Sequence, residues 1–261
     1  DVSSGLKAKI KRTLVTKVMK QVWACFPCGT LGEEYFKKYG CPANRVYYFP
    51  YEPDYALIRA MPANVIDTAA AKFSLDRSRR RIVYSGRLTD VKRVDLIIDA
   101  FAKIAVERPN WDLLIIGGGP LAPSLRSRVP EPLQSRVTWT GFLDNQQTVS
   151  ALYRASDILI LPSDYEPWAV VLNEAAAAGL AIIATNVVGA AAELVRDGVN
   201  GFTFPPGDLD ALVARLRETT DESRIDAFKA SSADVLADWQ RRGDPVEGLR
   251  KALVDSGVIS A

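Results

Sequence analysis

From residue 81 onward, short apolar runs alternate with longer amphipathic ones. Runs at residues 82–85, 112–116, 136–139, 158–161, 181–184 and 201–204 read as strands. Strands of four or five apolar residues without alternation, such as Ile-Leu-Ile-Leu at 158–161, are buried on both faces. Between the strands lie helical stretches. The first, 94–106, places Leu96, Ile97, Ala100, Phe101 and Ile104 on one face. Others follow at 121–128, 145–154, 168–178 and 190–195, and helices at 208–218, 224–238 and 246–254 close the chain. Strand and helix in strict turn predict an α/β fold with a parallel, doubly wound sheet. Ligands of such sheets sit at the carboxyl ends of the strands.

The first eighty residues have another texture. From Leu6 to Gln21, Leu6, Ile10, Leu14 and Val18 recur every four residues and predict an amphipathic helix. The same stretch holds Lys7, Lys9, Lys11, Arg12, Lys17 and Lys20 and no acid. Such a helix can make peripheral contact with an anionic membrane surface, or pack on protein with its lysine face solvated. A strand at 22–26, a helix at 30–39 and a strand at 45–49 follow, one α/β unit and a little more, too little for a full domain. Pro53 and Pro62 interrupt the next stretch, residues 64–73 form one helix, and Arg77 and Arg79 to Arg81 close it. No aromatic platform accompanies these arginines, so they read as a solvated lead-in to a strand and no nucleic-acid partner is expected. The expected division is 1–55 as an incomplete N-terminal α/β piece, 56–80 as a linker, 81–240 as the main domain, and 241–261 as a helical end able to pack back on the N-terminal part.

Composition acts mostly by exclusion. The 261 residues, 48% hydrophobic and 25% charged, suit an ordinary globular protein with one large core or two modest ones. No apolar run is long enough to cross a bilayer. The chain has no histidine, which removes Ser-His-Asp, Cys-His and His-ligated metal chemistry. Cys25 and Cys28 form C-F-P-C, and Cys41 stands apart; a zinc site would lack its fourth ligand, so no metal is expected. Reduced thiols fit a cytoplasmic location, including the membrane surface.

The candidate chemistry centres on residues 163–174, Ser-Asp-Tyr-Glu-Pro-Trp-Ala-Val-Val-Leu-Asn-Glu. Pro167 sits where a helix following the 158–161 strand would open. Unpaired amides at that helix start favour a phosphate. Glu166 and Glu174 bracket this anion site, and a nucleotide sugar is a diphosphate flanked by two polyhydroxyl rings, one for each carboxylate. After the first strand, Gly86 allows close backbone approach, while Arg87 and Lys92 offer a planar fork and a point charge suited to a diphosphate. The alternative is that these cations pair with Asp90, Asp95 or solvent. A unit charge pair near 4 Å is worth roughly 4 kcal/mol at an effective dielectric of about 20, before desolvation. The Gly-Gly-Gly-Pro at 117–120 is a tight turn and matches neither a dinucleotide fingerprint nor a P-loop. Phe142 and Leu143 can flank a nucleobase, or Phe142 can be core. Two carboxylates also suit a glycoside hydrolase; a glutamate inside a helix beside an anion site fits it less well.

Together these residues resemble glycosyltransferase family 4, the retaining nucleotide-sugar transferases of the GT-B fold. The match runs through Ser85-Gly86-Arg87-Leu88 with Lys92 and Asp95, the glycine turn at 117–120, and Gly141-Phe142-Leu143. It continues through Glu166 and Glu174, the family's E-x7-E, then Gly179, Ile183-Ala184-Thr185, Gly189, Glu193-Leu194-Val195, Asp197-Gly198, Gly201 and Pro206-Gly207-Asp208. The resemblance implies a Rossmann-like C-terminal donor-binding domain and a hexosyltransferase that requires no metal or other cofactor. Arg87 and Lys92, with the main-chain amides of Ala169, Val170 and Val171, would hold the donor's diphosphate. Glu166 would bind the transferred sugar, Glu174 the ribose, and Phe142 and Leu143 the base. Gly86, Pro167 and Trp168 complete the donor-binding set; Glu166, Arg87 and Lys92 form the catalytic one. The family commonly has Glu-Gly-Phe-Gly where this chain has Glu166-Pro167-Trp168-Ala169. The acceptor, a glycan or a lipid, is expected to bind in a domain preceding this stretch. The rival readings are a non-catalytic nucleotide-sugar-binding scaffold and an epimerase or hydrolase on the same fold.

Overall fold

A computed structural model describes residues 6–260, the side chains of residues 6–8 and 11 excepted. Leu6, Lys7 and Lys11, part of the expected amphipathic pattern, therefore have side chains outside the described residues. The chain forms two compact units, residues 6–51 with 239–260, and Glu52–Asp238. Among the described residues no helix is long and apolar enough to cross a membrane.

The first unit opens with helices α1 (Leu6–Met19) and α2 (Thr30–Lys38). Ile10, Leu14 and Val18 are 51%, 60% and 54% exposed, so the apolar stripe of α1 faces outward. The strands expected at 22–26 and 45–49 shrink to one parallel bridge, Cys25 with Val46. Cys25 N donates to Arg45 O (2.8 Å), Tyr47 N to Cys25 O (3.0 Å) and Phe49 N to Pro27 O (2.9 Å). Pro27 has no amide to extend this ladder, and Pro42 starts a 3-10 turn over Ala43–Arg45 that takes the first residue of the second expected strand.

The second unit begins with α3 (Tyr55–Arg59) and α4 (Ala63–Lys72). Then β1 (Arg80–Ser85), α5 (Val94–Ile104), β2 (Trp111–Ile116), α6 (Ala122–Arg128), β3 (Val137–Gly141) and α7 (Gln146–Arg154) carry the chain to one side of the sheet. It returns through β4 (Ile158–Leu161), α8 (Val170–Ala178), β5 (Ala181–Thr185), α9 (Ala191–Leu194) and β6 (Gly201–Phe204). Helices α10 (Leu209–Thr219) and α11 (Ile225–Arg242) follow. The six strands are parallel in the order β3-β2-β1-β4-β5-β6. Ile82 of β1 is in register with Leu113 on one side and Ile158 on the other. Ile82, Val83, Leu159, Ile160, Ile182 and Ile183 are fully buried, as unalternated runs require. Order reverses between β1 and β4, the topological switch point where such sheets open a crevice.

Residues 56–80 are not the linker that Pro53 and Pro62 suggested. Asp54 caps α3 by accepting from Leu57 N (2.9 Å), and Pro62 is the extended residue just before α4. These helices pack on α8 and α7. Ile58 and Ala70 are each 1% exposed, and the buried Asn173 amide of α8 donates to Tyr55 Oη (2.9 Å). The prolines start helices here; they do not separate domains.

The chain's last helix, α12 (Pro245–Asp255), belongs to the first unit. Asp244 caps it by accepting from Val246 N (2.8 Å) and Glu247 N (3.1 Å). Tyr47 Oη donates to Asp255 Oδ2 (2.9 Å), which ties α12 to the 44–48 segment.

Candidate functional site

At the carboxyl edge of the sheet, neighbouring loops are stitched by main-chain hydrogen bonds. Gly117 N donates to Gly141 O (3.0 Å), Leu88 N to Gly118 O (2.9 Å), Asp164 N to Val91 O (2.9 Å) and Gly189 N to Glu166 O (3.0 Å). They join, in turn, the loops after β2 and β3, β1 and β2, β1 and β4, and β4 and β5. A Cβ on Gly119 would lie 2.4 Å from Leu88 O, and one on Gly189 2.1 Å from Pro167 O. Those glycines serve loop-to-loop approach, so the 117–120 turn is shaped by its neighbouring loop.

Lys92 and Glu166 meet across the β1–β4 crevice. Lys92 ends a 3-10 turn, Asp90–Lys92, after β1, and its Nζ pairs with Glu166 Oε2 from the β4 loop. Their side chains are 22% and 17% exposed. Neither cation pairs with Asp90 or Asp95, the latter held by Arg93 (3.1 Å), while Arg87 faces solvent as the alternative allowed. Tyr84, buried in β1, donates its hydroxyl to Arg87 O (3.0 Å). Burial first, and the charge of Glu166 second, push the Tyr84 phenol pKa up. The Arg87 guanidinium is exposed and has no side-chain partner among the described residues.

Glu174 lies on α8 and accepts from Gln146 Nε2 of α7 (2.8 Å). The buried Tyr153 hydroxyl bonds the same carboxylate and also contacts Ser85, at the end of β1. Burial raises the Glu174 pKa; the bonds from Tyr153 and Gln146 oppose that shift. Burial likewise pushes the Tyr153 phenol well up. Tyr153 thus links Glu174 to the end of β1, from which the loop carrying Lys92 departs.

Helix α8 does not open at Pro167. Trp168 is buried (4% exposed) and its carbonyl accepts from Ala190 N (2.8 Å), so the loop must turn inward before the helix can begin. Ala169 makes that turn with a left-handed backbone (φ 83°, ψ 78°), and Val170 is the first helical residue. A non-glycine residue held there costs on the order of 1 kcal/mol or more and marks strain stored beside the site. Leu172 N is already bonded to Ala169 O (3.0 Å), and the amides of Val170 and Val171 have no intrahelical acceptor. Trp168 is therefore a packing residue, able to offer a ligand only its main chain. Pro167 is exposed, and Gly86 begins the β1 loop with its amide on Ile116 O (3.0 Å). Phe142 is 79% exposed, so it is not core; Leu143 is half-buried, and Gly118 abuts the Phe142 backbone.

Four residues of this edge escaped sequence reasoning. Tyr84, Tyr153 and Gln146 sit on core or amphipathic positions whose spacing signals packing alone. Arg93, 71 residues from Asp164, reaches that carboxylate at 3.3 Å.

The resulting edge has exposed cation, helix amides, two flanking carboxylates and an exposed aromatic. The family model described as glycosyl transferases group 1 matches residues 65–240. A glycogen synthase of Mycobacterium tuberculosis is 33% identical over 185 residues, 68% of this chain and 44% of that protein. A D-inositol 3-phosphate glycosyltransferase of Streptomyces avermitilis is 30% identical over 192 residues, 69% of this chain and 41% of that protein. The crystal structure of Anabaena HepE in complex with UDP is similar with a TM-score of 0.78 at 21% identity, over 95% of this chain and 67% of that one. At that identity the likeness is one of fold. The chain spans less than half the length of these curated relatives.

Proposed function

Because the chain belongs to the group 1 glycosyl transferases, we propose that it holds a nucleotide-diphosphate sugar in the β1–β4 crevice, as the donor half of a retaining hexosyl transfer. The observation that carries this is the Lys92–Glu166 pair at the switch point, with Glu174 on α8 bonded by Tyr153, whose hydroxyl also meets Ser85 at the end of β1. In the proposed complex, Lys92 leaves Glu166 for the diphosphate, where Arg87 and the amides of Val170 and Val171 join it. Glu166 then accepts from hydroxyls of the departing sugar, Glu174 accepts from the ribose, and Phe142 and Leu143 flank the base. The bond from the anomeric carbon to the phosphate oxygen breaks, and its electron pair stays on the diphosphate. Cations and amides already in place stabilise that charge as it grows, which lowers the barrier. The acceptor hydroxyl attacks on the same face and gives its proton to the leaving phosphate.

The acceptor, a glycan or lipid hydroxyl, is assigned to polypeptide outside this chain. On this proposal the isolated chain binds a nucleoside diphosphate and transfers sugar poorly. Calorimetry with UDP, GDP and ADP tests the first half; UDP comes first because HepE was solved with it. Binding by none of the three would favour a scaffold. Sugar released from a nucleotide sugar without acceptor would favour a hydrolase, and an isomerised donor an epimerase.

A further inference from the structure

Arg93 stands between the crevice and α5. It has a left-handed backbone (φ 49°, ψ 42°), uncommon for a side chain that is not glycine. Its Nε and Nη2 donate to the two oxygens of Asp95 (3.2 and 3.1 Å), on the first turn of its own helix. Its Nη1 reaches both oxygens of Asp164 (3.3 and 3.4 Å), on the loop after β4. Lys92 precedes Arg93 directly, and Glu166 lies two residues beyond Asp164. One planar fork therefore ties together the two loops that carry the Lys92–Glu166 pair, beside the main-chain bond from Asp164 N to Val91 O (2.9 Å). A lysine has no such fork and could not hold two carboxylates in one fixed geometry. The Arg93 and Asp164 side chains are 27% and 43% exposed, so the bridge adds little to stability. What it fixes is the relative placement of the loops.

We infer that Arg93 is a positioning residue: by gripping Asp164 it sets the gap between Lys92 and Glu166, and so the fit of the donor. This rests on the donor-binding proposal above. The backbone separates the role from simple packing. Glycine adopts φ near 49° freely, so Arg93→Gly removes the bridge while easing the main chain.

The test uses the chain as it stands, titrated calorimetrically with whichever of UDP, GDP and ADP binds most tightly, alongside thermal melts. Arg93→Gly should melt at or above the parent yet bind about tenfold more weakly, a loss typical of contacting, coupled groups. Asp164→Asn should lose affinity similarly, the double variant should lose no more than either single one, and Arg93→Lys should recover only part. Parental affinity in both single variants, losses that add, or a melting temperature that falls in step with affinity would overturn the inference and leave the donor site standing. An unmodified chain that binds none of the three nucleotides would overturn both.

Discussion

The two edges of the sheet both carry dense charge, and they use it in opposite ways. At the amino edge, Arg80 meets Glu222 (2.8 Å), Asp226 (3.0 Å) and Asp157 (3.3 Å), while Lys229 meets Asp157 (2.6 Å) and Arg79 meets Asp112 (2.7 Å). Arg81, 2% exposed, donates to the carbonyls of Ala155 (2.8 Å) and Asp76 (2.9 Å), and burial lowers its pKa. This edge even has a cleft of about 380 Å³ lined by Arg77, Arg80, Arg154 and Lys229. At the carboxyl edge, Arg87 has no side-chain partner among the described residues, Lys92 is held by a single acid, and burial raises the pKa of Glu174. Neither charge density nor cavity size separates a clasp from a site. Burial is costly at both edges, since it also lowers the pKa of Arg81; what sets the carboxyl edge apart is its place at the strand ends of the switch point.

The largest expected difference between the edges is in turnover. In the complete protein, Lys92→Ala should lower the initial rate about 10²-fold, as removal of one charge-stabilising donor does. Arg80→Ala should leave that rate unchanged and lower unfolding free energy by about 1 kcal/mol in urea titrations, because two of its three acids are exposed and only Asp157 is largely shielded. Similar rate losses from both would erase the contrast.

Glu166→Gln sharpens it in the other direction. The amide frees Lys92, so a nucleoside diphosphate should bind about two- to fivefold more tightly, the worth of a modest ion pair, while sugar transfer falls. Calorimetry that finds equal or weaker binding would mean that the pair does not compete with the donor.

The smallest effect is on stability against pH. An unfolded glutamate titrates near 4.5, and the folded Glu174 titrates higher. Below that window both states are protonated and the group contributes nothing. As pH rises through it, the folded state must carry a desolvated charge, and stability falls. Glu174→Gln should therefore be more stable than the parent at neutral pH, by a margin that vanishes on acidification toward and below 4.5. A margin that grows at low pH would contradict the cause assigned to the shift.

The sheet was legible because its strands are unbroken apolar runs: residues 158–161 are strand β4 with the same bounds. That Lys92 and Glu166 would share one edge was legible as well, since loops after buried strands fall there. Less local facts were not. Pro53 and Pro62 looked like interruptions because proline halts a helix it lies within, yet here they precede α3 and α4. Pro167 looked like a helix start, but the need to bury Trp168 moved that start to Val170 and left Ala169 left-handed. Tyr153 read as a packing residue, and its hydroxyl found Glu174 only once α7 and α8 were neighbours. The Arg93–Asp164 bridge depends on two loops meeting in space, which no local spacing encodes.

The most direct measurement is a crystal structure of the chain soaked with UDP. The predicted result is a diphosphate on Lys92, Arg87 and the amides of Val170 and Val171, with the ribose against Glu174 and the Lys92–Glu166 pair opened. A nucleotide bound in the arginine-lined cleft at the amino edge, or one that leaves the Lys92–Glu166 pair intact, would contradict the account.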